Sequence, residues 1–327
     1  ACRRPGEVTV LTVLAWLLVG AGMPPGDAPD ASRVQHGYLR VRDGAELYYE
    51  RAGNGPVLIA PGHLFLFDVL RALSDQYTII AYDMRDRGRS HAISDPARVT
   101  VQDDVRDLED VRRHFGVRVF TPIGYSYLGL VVVMYALDHP QQVERIVQLG
   151  PVPMRFDSTY PADLMARDQE AVPDPAKLKE LDELRRAQFD IEHPREYCEK
   201  EWDVTRFMLV GNPANVGKLG PGWCNLPNEW PPHLRKHFGA SIESVKKVDV
   251  SQGARSLRTP VLTIHGRKDR NAPYGSGREW ATTLPNARLL TIQNGAHQSF
   301  VEYPEIVMPA IRSFMAGVWP ADAETLH

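Results

Sequence analysis

Short runs of continuously apolar residues recur along this chain, and each ends at glycine, proline or aspartate. The first three are Val57–Ala60, Thr78–Tyr82 and Val117–Ile123. A strand that is apolar without alternation is buried on both faces, which is typical of a parallel sheet covered by helices. Stretches with helical patterning, Phe67–Leu73 and Val101–His114, separate the runs. The sequence therefore predicts an α/β fold built on a mostly parallel sheet.

The same alternation continues through the rest of the chain. In chain order the other predicted elements are an antiparallel hairpin within Val34–Tyr49, a helix over Leu128–Leu137, strands over Val143–Leu149, Val261–Ile264 and Ala287–Ile292, and a helix over Glu305–Met315. Between residues 153 and 251 the strand pattern disappears. The helices predicted there are Ala162–Ala171, Pro175–Phe189, Pro194–Leu209 and Pro232–Val245. We therefore expect a core of residues 33–152 and 252–320 that is interrupted by a helical insertion, residues 153–251.

The N-terminal segment differs from the rest of the chain. Arg3 and Arg4 precede an apolar run, Val8–Gly22, and a polar linker rich in proline and aspartate follows it. This order is typical of a secretory signal peptide, and the run is shorter than the about 20 residues that a spanning helix needs. A buried N-terminal helix and an uncleaved membrane anchor are the alternatives. The pattern of residues 1–32 thus predicts a secreted or periplasmic protein, which is anchored to a membrane only if the segment is not cleaved.

Composition and cysteine usage exclude several classes of partner. The chain is 43% apolar with a net charge of −3, and it has no long run of like charge. Its charges therefore give no electrostatic basis for binding nucleic acid. Beyond Cys2 the only cysteines are Cys198 and Cys224. They form a disulfide worth about 3 kcal/mol or remain two separate buried thiols. No histidine stands at ligand spacing from either, and we expect neither a metal nor another cofactor.

A serine lies where a predicted buried strand meets a predicted buried helix, in Gly124-Tyr125-Ser126-Tyr127. A tight turn of this kind projects the serine hydroxyl above the sheet, and glycine two residues earlier leaves room for it. The N-terminus of the following helix supplies positive potential and a free backbone N–H. A structural serine is the alternative, but this context favours Ser126 as a nucleophile.

A serine nucleophile needs a base and an acid that orients the base. Among the eleven histidines, His297 follows the strand Ala287–Ile292 across a short loop, whereas His265 follows its strand directly and is predicted to be buried and structural. Asp269 lies just past that same strand. Ser126, Asp269 and His297 each follow a buried strand, where parallel sheets gather catalytic groups. They are the predicted catalytic triad.

Past residue 34, the chain resembles the α/β-hydrolase superfamily, and most closely its proline-iminopeptidase-like branch. The segments that carry the resemblance are Ala60-Pro61-Gly62-His63, Asp83–Ser90, the serine turn, His265–Asp269 and Asn294–His297. The resemblance implies an oxyanion hole formed by the N–H of Tyr127 and an N–H near His63. It also implies that Asp83–Ser90 braces the loops beside the site and that the insertion is a cap over it.

The chain departs from that family pattern at several positions. Leu128 stands where glycine usually follows the nucleophile by two residues, and Pro61-Gly62 stands where His-Gly usually begins the loop after the third strand. Asp86 occupies a position where glycine is common, and the glycine-rich His-Gly-Gly-Pro-Gly loop of true proline iminopeptidases is absent.

The resemblance also implies carboxylates in the cap that hold a substrate's α-amino group. The candidates are Glu199, Glu201 and Asp203, although acids in a helix usually form a solvated face. The leading hypothesis is hydrolysis of an ester or amide of a small substrate, or of a short peptide, through an acyl-enzyme. A proline-iminopeptidase-like aminopeptidase and a non-catalytic, ligand-binding hydrolase fold are the alternatives. The dehalogenase and epoxide-hydrolase branches use an aspartate nucleophile, which Ser126 argues against.

Overall fold

The computed structural model describes residues 34–165 and 173–326. The predicted signal peptide or anchor with its linker, residues 1–32, lies outside them. The strands are β1 (Gln35–Arg40), β2 (Glu46–Ala52), β3 (Val57–Pro61), β4 (Thr78–Tyr82), β5 (Thr121–Tyr125), β6 (Ile146–Leu149), β7 (Val261–Gly266), β8 (Ala287–Ile292) and β9 (Ala323–Glu324).

Helices flank these strands. They are α1 (His63–Leu70), α2 (Val101–His114), α3 (Tyr127–Asp138), α4 (Pro175–Arg186), α5 (Phe189–Glu192), α6 (Pro194–Thr205), α7 (Pro231–Val245), α8 (Ser251–Ala254), α9 (Tyr274–Thr283), α10 (Ser299–Glu302) and α11 (Pro304–Met315). Short 3₁₀ helices cover Arg71–Leu73, Pro96–Arg98, Ala162–Leu164, Arg206–Leu209, Pro213–Leu219 and Pro227–Glu229. In the part of the chain that the structure describes, every helix falls short of the length and apolarity needed to cross a membrane.

The strands form one sheet in the order β1-β2-β4-β3-β5-β6-β7-β8-β9. All neighbouring pairs from β4 to β8 are parallel, and the pairs β1–β2, β2–β4 and β8–β9 are antiparallel. The predicted fold, a mostly parallel sheet flanked by helices, is confirmed. The carboxyl ends of β5, β7 and β8 consequently meet at the same edge of the sheet.

Both faces of the sheet are buried, which explains the continuous apolar runs. In β3, Ile59 belongs to a core cluster shared with α2 and α3. Its neighbours Leu58 and Ala60 belong to a second cluster shared with α1 and α11. Successive side chains of a strand point to opposite faces, so each face needs its own apolar residues.

Two strands are shorter than their apolar runs predict. Val117 donates its N–H to the carbonyl oxygen of Arg112 at 3.0 Å and so ends α2 rather than beginning a strand. Phe120 makes only an isolated bridge with Val143, and regular pairing of β5 and β6 starts after these residues. These apolar residues are buried just before the two strands begin, but they take no part in regular strand pairing.

The helical insertion, residues 153–251, lies between β6 and β7 in the chain and contains α4 to α7. The predicted helix Ala162–Ala171 is wrong where the structure describes it: Ala162–Leu164 is a 3₁₀ turn, Met165 is extended, and residues 166–172 lie outside the described residues. The carbonyl oxygen of Asp163 accepts a hydrogen bond from the guanidinium of Arg267 in the core. Gln188, with φ +60°, divides the predicted helix Pro175–Phe189 into α4 and α5.

A buried carboxylate joins the two helices that pack beneath the serine turn. Asp104 of α2 is 8% exposed, and its Oδ2 accepts a hydrogen bond from the hydroxyl of Tyr127 at 2.6 Å. Burial raises the pKa of Asp104 to about 7, although the hydrogen bond from Tyr127 acts in the opposite direction. Between about pH 4 and about pH 7, Asp104 is therefore protonated in the folded protein and ionised in the unfolded chain.

The stability of the Asp104→Asn variant relative to the wild type should increase as the pH rises. Between the unfolded pKa of about 4 and the folded pKa of about 7, unfolding of the wild type releases a proton, so its free energy of unfolding falls with rising pH. Asparagine does not titrate and still accepts from Tyr127. Urea denaturation at about pH 5 and about pH 8 should show the variant gaining about 2 kcal/mol on the wild type between the two. The same difference at both pH values would contradict the raised pKa.

Candidate active site

The serine turn holds Ser126 in a strained backbone conformation. Ser126 lies between β5 and α3 with φ 56° and ψ −124°, a region that non-glycine residues seldom occupy. A Cβ on Gly124 would collide with the carbonyl group of Leu128, so glycine is required there. The N–H of Ser126 donates to Leu149 of β6 at 2.9 Å, and Gly129 donates back to the Ser126 carbonyl at 2.9 Å. The neighbouring strand and helix thus enforce the turn.

The unusual leucine after this turn is accommodated by a glycine across the site. Leu128 is 2% exposed, and its Cδ1 would lie 2.7 Å from a Cβ built on Gly62. Gly62 has φ +85°, which also favours glycine. Leu128 and Gly62 therefore form a matched pair, and the departure at Leu128 leaves the serine turn intact.

The structure brings the three predicted triad residues into hydrogen-bond contact. Oγ of Ser126 lies 2.9 Å from Nε2 of His297. Nδ1 of the same imidazole lies 2.8 Å from Oδ2 of Asp269. The three residues come from the ends of three parallel strands, β5, β8 and β7 in that order. This is the nucleophile, base and acid arrangement of nucleophilic catalysis.

Asp269 is fully buried and has a partner for each carboxylate oxygen. Its Oδ1 accepts the N–H groups of Asn271 at 2.9 Å and Ala272 at 3.0 Å. Burial alone would raise the pKa of Asp269, but the imidazoles of His297 and His265 outweigh burial and lower the pKa below its ordinary value. Asp269 is therefore an anion throughout the physiological range, as the acid of a triad must be.

His265 is an internal residue beside Asp269. It is fully buried, and its Nε2 lies 3.0 Å from the Ala272 carbonyl oxygen and 3.2 Å from Oδ2 of Asp269. The structure thus places it as an internal residue that packs against the acid.

Glu302, a buried residue outside the predicted set of site residues, holds the loop that carries His297. Oε2 of Glu302 accepts the N–H of Ala296, the residue before His297, at 2.7 Å. The same carboxylate accepts the N–H of Gly211 at 3.0 Å and of Asn212 at 3.3 Å, both from the insertion. Glu302 consequently ties the loop of the base to the insertion. An acid within the apolar run after His297 was the signal that could have revealed it.

The two N–H groups predicted for the oxyanion hole both begin helices. Tyr127 is the first residue of α3 and His63 is the first residue of α1, and such N–H groups have no partner within their own helix. The next N–H in α1, that of Leu64, already donates to Oδ1 of Asp83 at 3.1 Å. The imidazole of His63 is buried, stacked on Phe67 with ring centroids 5.2 Å apart. The imidazole of His63 is thus packed inside the protein, which leaves only its backbone N–H for the predicted role; His63 itself is not among the residues that line the cavity over Ser126.

The predicted substrate-binding carboxylates are not brought to the site. Glu199 is 53% exposed and pairs with Arg195, and Asp203 is 65% exposed and pairs with Arg206. Glu201 is half-buried within the insertion, where burial raises its pKa. None of the three lines the cavity that contains Ser126. Helix α6 turns these side chains to solvent and to neighbouring helices instead.

A cavity of about 800 Å³ opens over Ser126 and His297. The core contributes Phe65, Met84 and Val152 to its walls, while the insertion contributes a larger apolar set. Those insertion residues are Phe156, Met208, Leu209, Trp223, Leu234, Phe238, Ile242 and Val245. Among residues 34–165 and 173–326, none that lines this cavity is an aspartate or a glutamate.

Arg87 reaches the cavity wall but is neutralised by an acid from the insertion. Its Nε and Nη2 donate to the two carboxylate oxygens of Glu229 at 2.9 and 2.7 Å, and both side chains are buried. The N–H of Gly88 donates to the same carboxylate at 2.8 Å. The pair joins the core to the insertion across 142 positions of sequence, a distance over which no local pattern could have predicted it.

The structure joins Cys198 of α6 and Cys224 in a disulfide, with their Cα atoms 5.6 Å apart. Both residues are buried within the insertion. A search of the described residues for three or more histidine, cysteine, aspartate or glutamate side chains able to hold a metal ion finds no such group.

The sequence model of the alpha/beta hydrolase fold family matches residues 58–304. The chain belongs to the α/β-hydrolase family. A proline iminopeptidase from Xylella fastidiosa is 32% identical over 300 residues, which cover 83% of this chain and 93% of the relative. This α/β hydrolase is therefore an enzyme of the hydrolase class with aminopeptidase-like relatives, and the predicted resemblance to the proline-iminopeptidase-like branch is confirmed.

More distant matches share the fold under other names. A non-heme haloperoxidase from Rhodococcus erythropolis is 24% identical over 295 residues, covering 85% of this hydrolase and 98% of the relative. The solved structure of an esterase from Exiguobacterium antarcticum superimposes with a TM-score of 0.64 at 17% identity, covering 86% of this chain and 100% of the esterase. Relatives with different named activities share one fold, so the substrate must be argued from the site.

Proposed function

We propose that this hydrolase cleaves carboxylic esters with an apolar acyl group through an acyl-enzyme on Ser126. The observation that supports the proposal best is the contact chain from Ser126 through His297 to Asp269, beside an apolar cavity to which the described residues contribute no carboxylate.

The geometry supports a two-step reaction. His297 accepts the proton of the Ser126 hydroxyl as the oxygen attacks the ester carbonyl carbon, and Asp269 stabilises the imidazolium that forms. The imidazolium then returns the proton to the leaving alcohol oxygen as its bond to carbon breaks. In the second step His297 activates a water molecule, which attacks the acyl-enzyme and releases the acid and free Ser126.

The negative charge that develops on the carbonyl oxygen needs donors already in place. The backbone N–H groups of Tyr127 and His63 are the proposed donors, because each begins a helix that adds positive potential. Asp83 accepts the Leu64 N–H at 3.1 Å and thereby helps to fix the loop that carries the second donor.

The helical insertion acts, in this proposal, as a cap that supplies most of the apolar wall. Apolar cavity walls bind acyl chains by removing their surface from water, at about 25 cal/mol per Å². The disulfide Cys198–Cys224 is consistent with the predicted export of the protein, since disulfides persist in oxidising compartments.

A second candidate is removal of N-terminal residues from peptides, favoured by the name of the Xylella relative. An aminopeptidase must hold a protonated α-amino group, and burying that charge without an anion costs several kcal/mol. Glu199, Glu201 and Asp203 do not line the cavity, and Glu229 is already paired with Arg87. The charges of the described residues therefore favour a substrate without an ammonium group.

The two candidates differ in their response to one amino group. Propionyl and alanyl 4-nitrophenyl esters share a carbon skeleton and a leaving group, and differ only in that amine. We expect kcat/KM for the propionyl ester to be at least about tenfold higher, since the alanyl ammonium would enter a cavity in which the described part of the chain places no carboxylate. Release of 4-nitrophenol, corrected for spontaneous hydrolysis, measures both. A preference for the alanyl ester would favour the aminopeptidase instead.

A further inference from the structure

One loop of the insertion, residues 220–229, places an indole in the cavity wall beside the catalytic serine. We call it the tryptophan loop. Gly220 and Gly222 both have positive φ, and a Cβ on Gly222 would lie 3.0 Å from the indole of Trp202. Trp223 follows directly and lines the cavity. The close turn on Trp202 thus fixes where the next side chain points.

Trp223 completes an aromatic wall that starts at the serine turn. Tyr125, the residue before Ser126, meets Phe65 edge to face at 5.4 Å. Phe65 meets Trp223 edge to face at 4.9 Å, and Trp202 contacts Trp223 in a tilted arrangement at 5.5 Å. Aromatic pairs in this geometry attract each other beyond the effect of area alone.

Three anchors hold the tryptophan loop. Cys224, the next residue after Trp223, is bonded to Cys198 of α6. The carbonyl oxygen of Cys224 accepts the indole N–H of Trp230 at 2.8 Å. At the end of the loop, Glu229 forms its two-oxygen contact with Arg87 of the core. The disulfide is the covalent anchor, and it lies one residue after Trp223.

This aromatic wall offers a surface for the acyl part of an ester. Phe65 lies two residues after His63, and Tyr125 contacts the imidazole of His297 with ring centroids 4.7 Å apart, so the wall extends from His297 to the loop that carries one of the proposed oxyanion donors. In an ester bound for attack by Ser126, the carbonyl oxygen faces those donors, whereas the leaving oxygen faces His297, which protonates it. The third substituent of the carbonyl carbon is the acyl chain, and the apolar surfaces of Phe65 and Trp223 are available to it within the same cavity.

We propose that Trp223 is a specificity-determining residue that recognises long acyl chains, and that the Cys198–Cys224 disulfide is its positioning element. The inference rests on the proposed ester hydrolysis. A short acyl group ends before it reaches the indole, and a long one lies against it. Loss of the indole, or of the bond that holds it, therefore weakens hydrolysis of long-chain esters selectively.

A series of 4-nitrophenyl esters from acetyl to decanoyl tests the role of Trp223. In Trp223→Ala, the decanoyl-to-acetyl ratio of kcat/KM should fall about tenfold, mainly through a higher KM for decanoyl. Trp223→Phe should restore most of the ratio. Leu178→Ala, on an exposed residue of the insertion outside this cavity, is the matched control and should keep the wild-type ratio.

The disulfide is tested in two ways. A dithiol reductant converts the bond to two thiols and is itself oxidised to a cyclic disulfide; thiol counting confirms the conversion. Reduced wild type and the Cys198→Ser, Cys224→Ser double variant should both show a raised KM for the decanoyl ester. The double variant should not respond to reductant.

The outcomes separate this inference from the proposed function. A decanoyl-to-acetyl ratio within about twofold of wild type in Trp223→Ala, with turnover that still depends on Ser126, would overturn the inference alone. An equal loss for every chain length would also overturn it, because the indole would then not be recognising chain length. A wild-type KM for decanoyl in both the reduced protein and the double variant would overturn the positioning role of the disulfide.

Discussion

Replacing Ser126 by alanine should lower kcat for 4-nitrophenyl butyrate by about 10⁵-fold or more. Alanine cannot form the acyl-enzyme, and His297 at 2.9 Å from the lost oxygen then has no nucleophile to activate. The remaining rate comes from the oxyanion donors and binding alone. Steady-state release of 4-nitrophenol measures the loss, with circular dichroism to show that the fold is retained.

The matched control for this change is Ser256→Ala, which removes an exposed hydroxyl outside the cavity. It should keep the wild-type kcat. A Ser126→Ala variant that retains more than about a tenth of the wild-type kcat would show that another group carries the reaction.

Asp269→Asn should lower kcat by about 10³- to 10⁴-fold with little change in KM. The amide has the shape of the carboxylate but no charge, so it cannot stabilise the imidazolium of His297. Its NH₂ group can also donate to Nδ1 of His297, which fixes the tautomer that leaves Nε2 protonated and unable to accept the Ser126 proton. The same steady-state assay measures this effect.

Asp157→Asn, which changes an exposed acid paired with Arg155, is the control for loss of one charge. A loss of less than about tenfold in Asp269→Asn would mean that His297 works without its acid. Thermal unfolding of both variants distinguishes a catalytic loss from a folding loss, because Asp269 also contacts His265 and two backbone N–H groups.

The main features of the fold could be predicted because they follow from local pattern. Continuous apolar runs such as Thr78–Tyr82 require two covered faces, and a mostly parallel sheet satisfies that requirement. The predicted ends of the helices and strands were less accurate. Val117 is as apolar as a strand residue but completes the end of α2, and only its tertiary neighbours decide between the two.

The three triad residues could be proposed from sequence because each follows a buried strand. Strand ends in a parallel sheet share one edge, so positions far apart in the chain are brought together by topology alone. The structure places Ser126 and Asp269 each in hydrogen-bond contact with His297, and it also explains the atypical Leu128 through the space that Gly62 leaves.

The substrate side of the site could not be predicted, since it depends on how the insertion folds over the core. Glu199 and Asp203 have the chemistry to hold an amine, but α6 directs them to solvent. Glu229 is matched with Arg87 only in three dimensions. Likewise Trp223 had no periodic or motif signal, and its position follows from glycine turns and a disulfide.

If Ser126 is an activated nucleophile, as proposed, it should react covalently with a fluorophosphonate. Such a reagent forms a stable bond only with a serine whose hydroxyl is activated by a neighbouring base. Intact-mass and peptide mass spectrometry should show one adduct per chain, on the peptide that contains Ser126, and none in Ser126→Ala. No adduct on the wild-type protein, or equal labelling of Ser126→Ala, would contradict the account and favour a hydrolase fold that binds ligands without cleaving them.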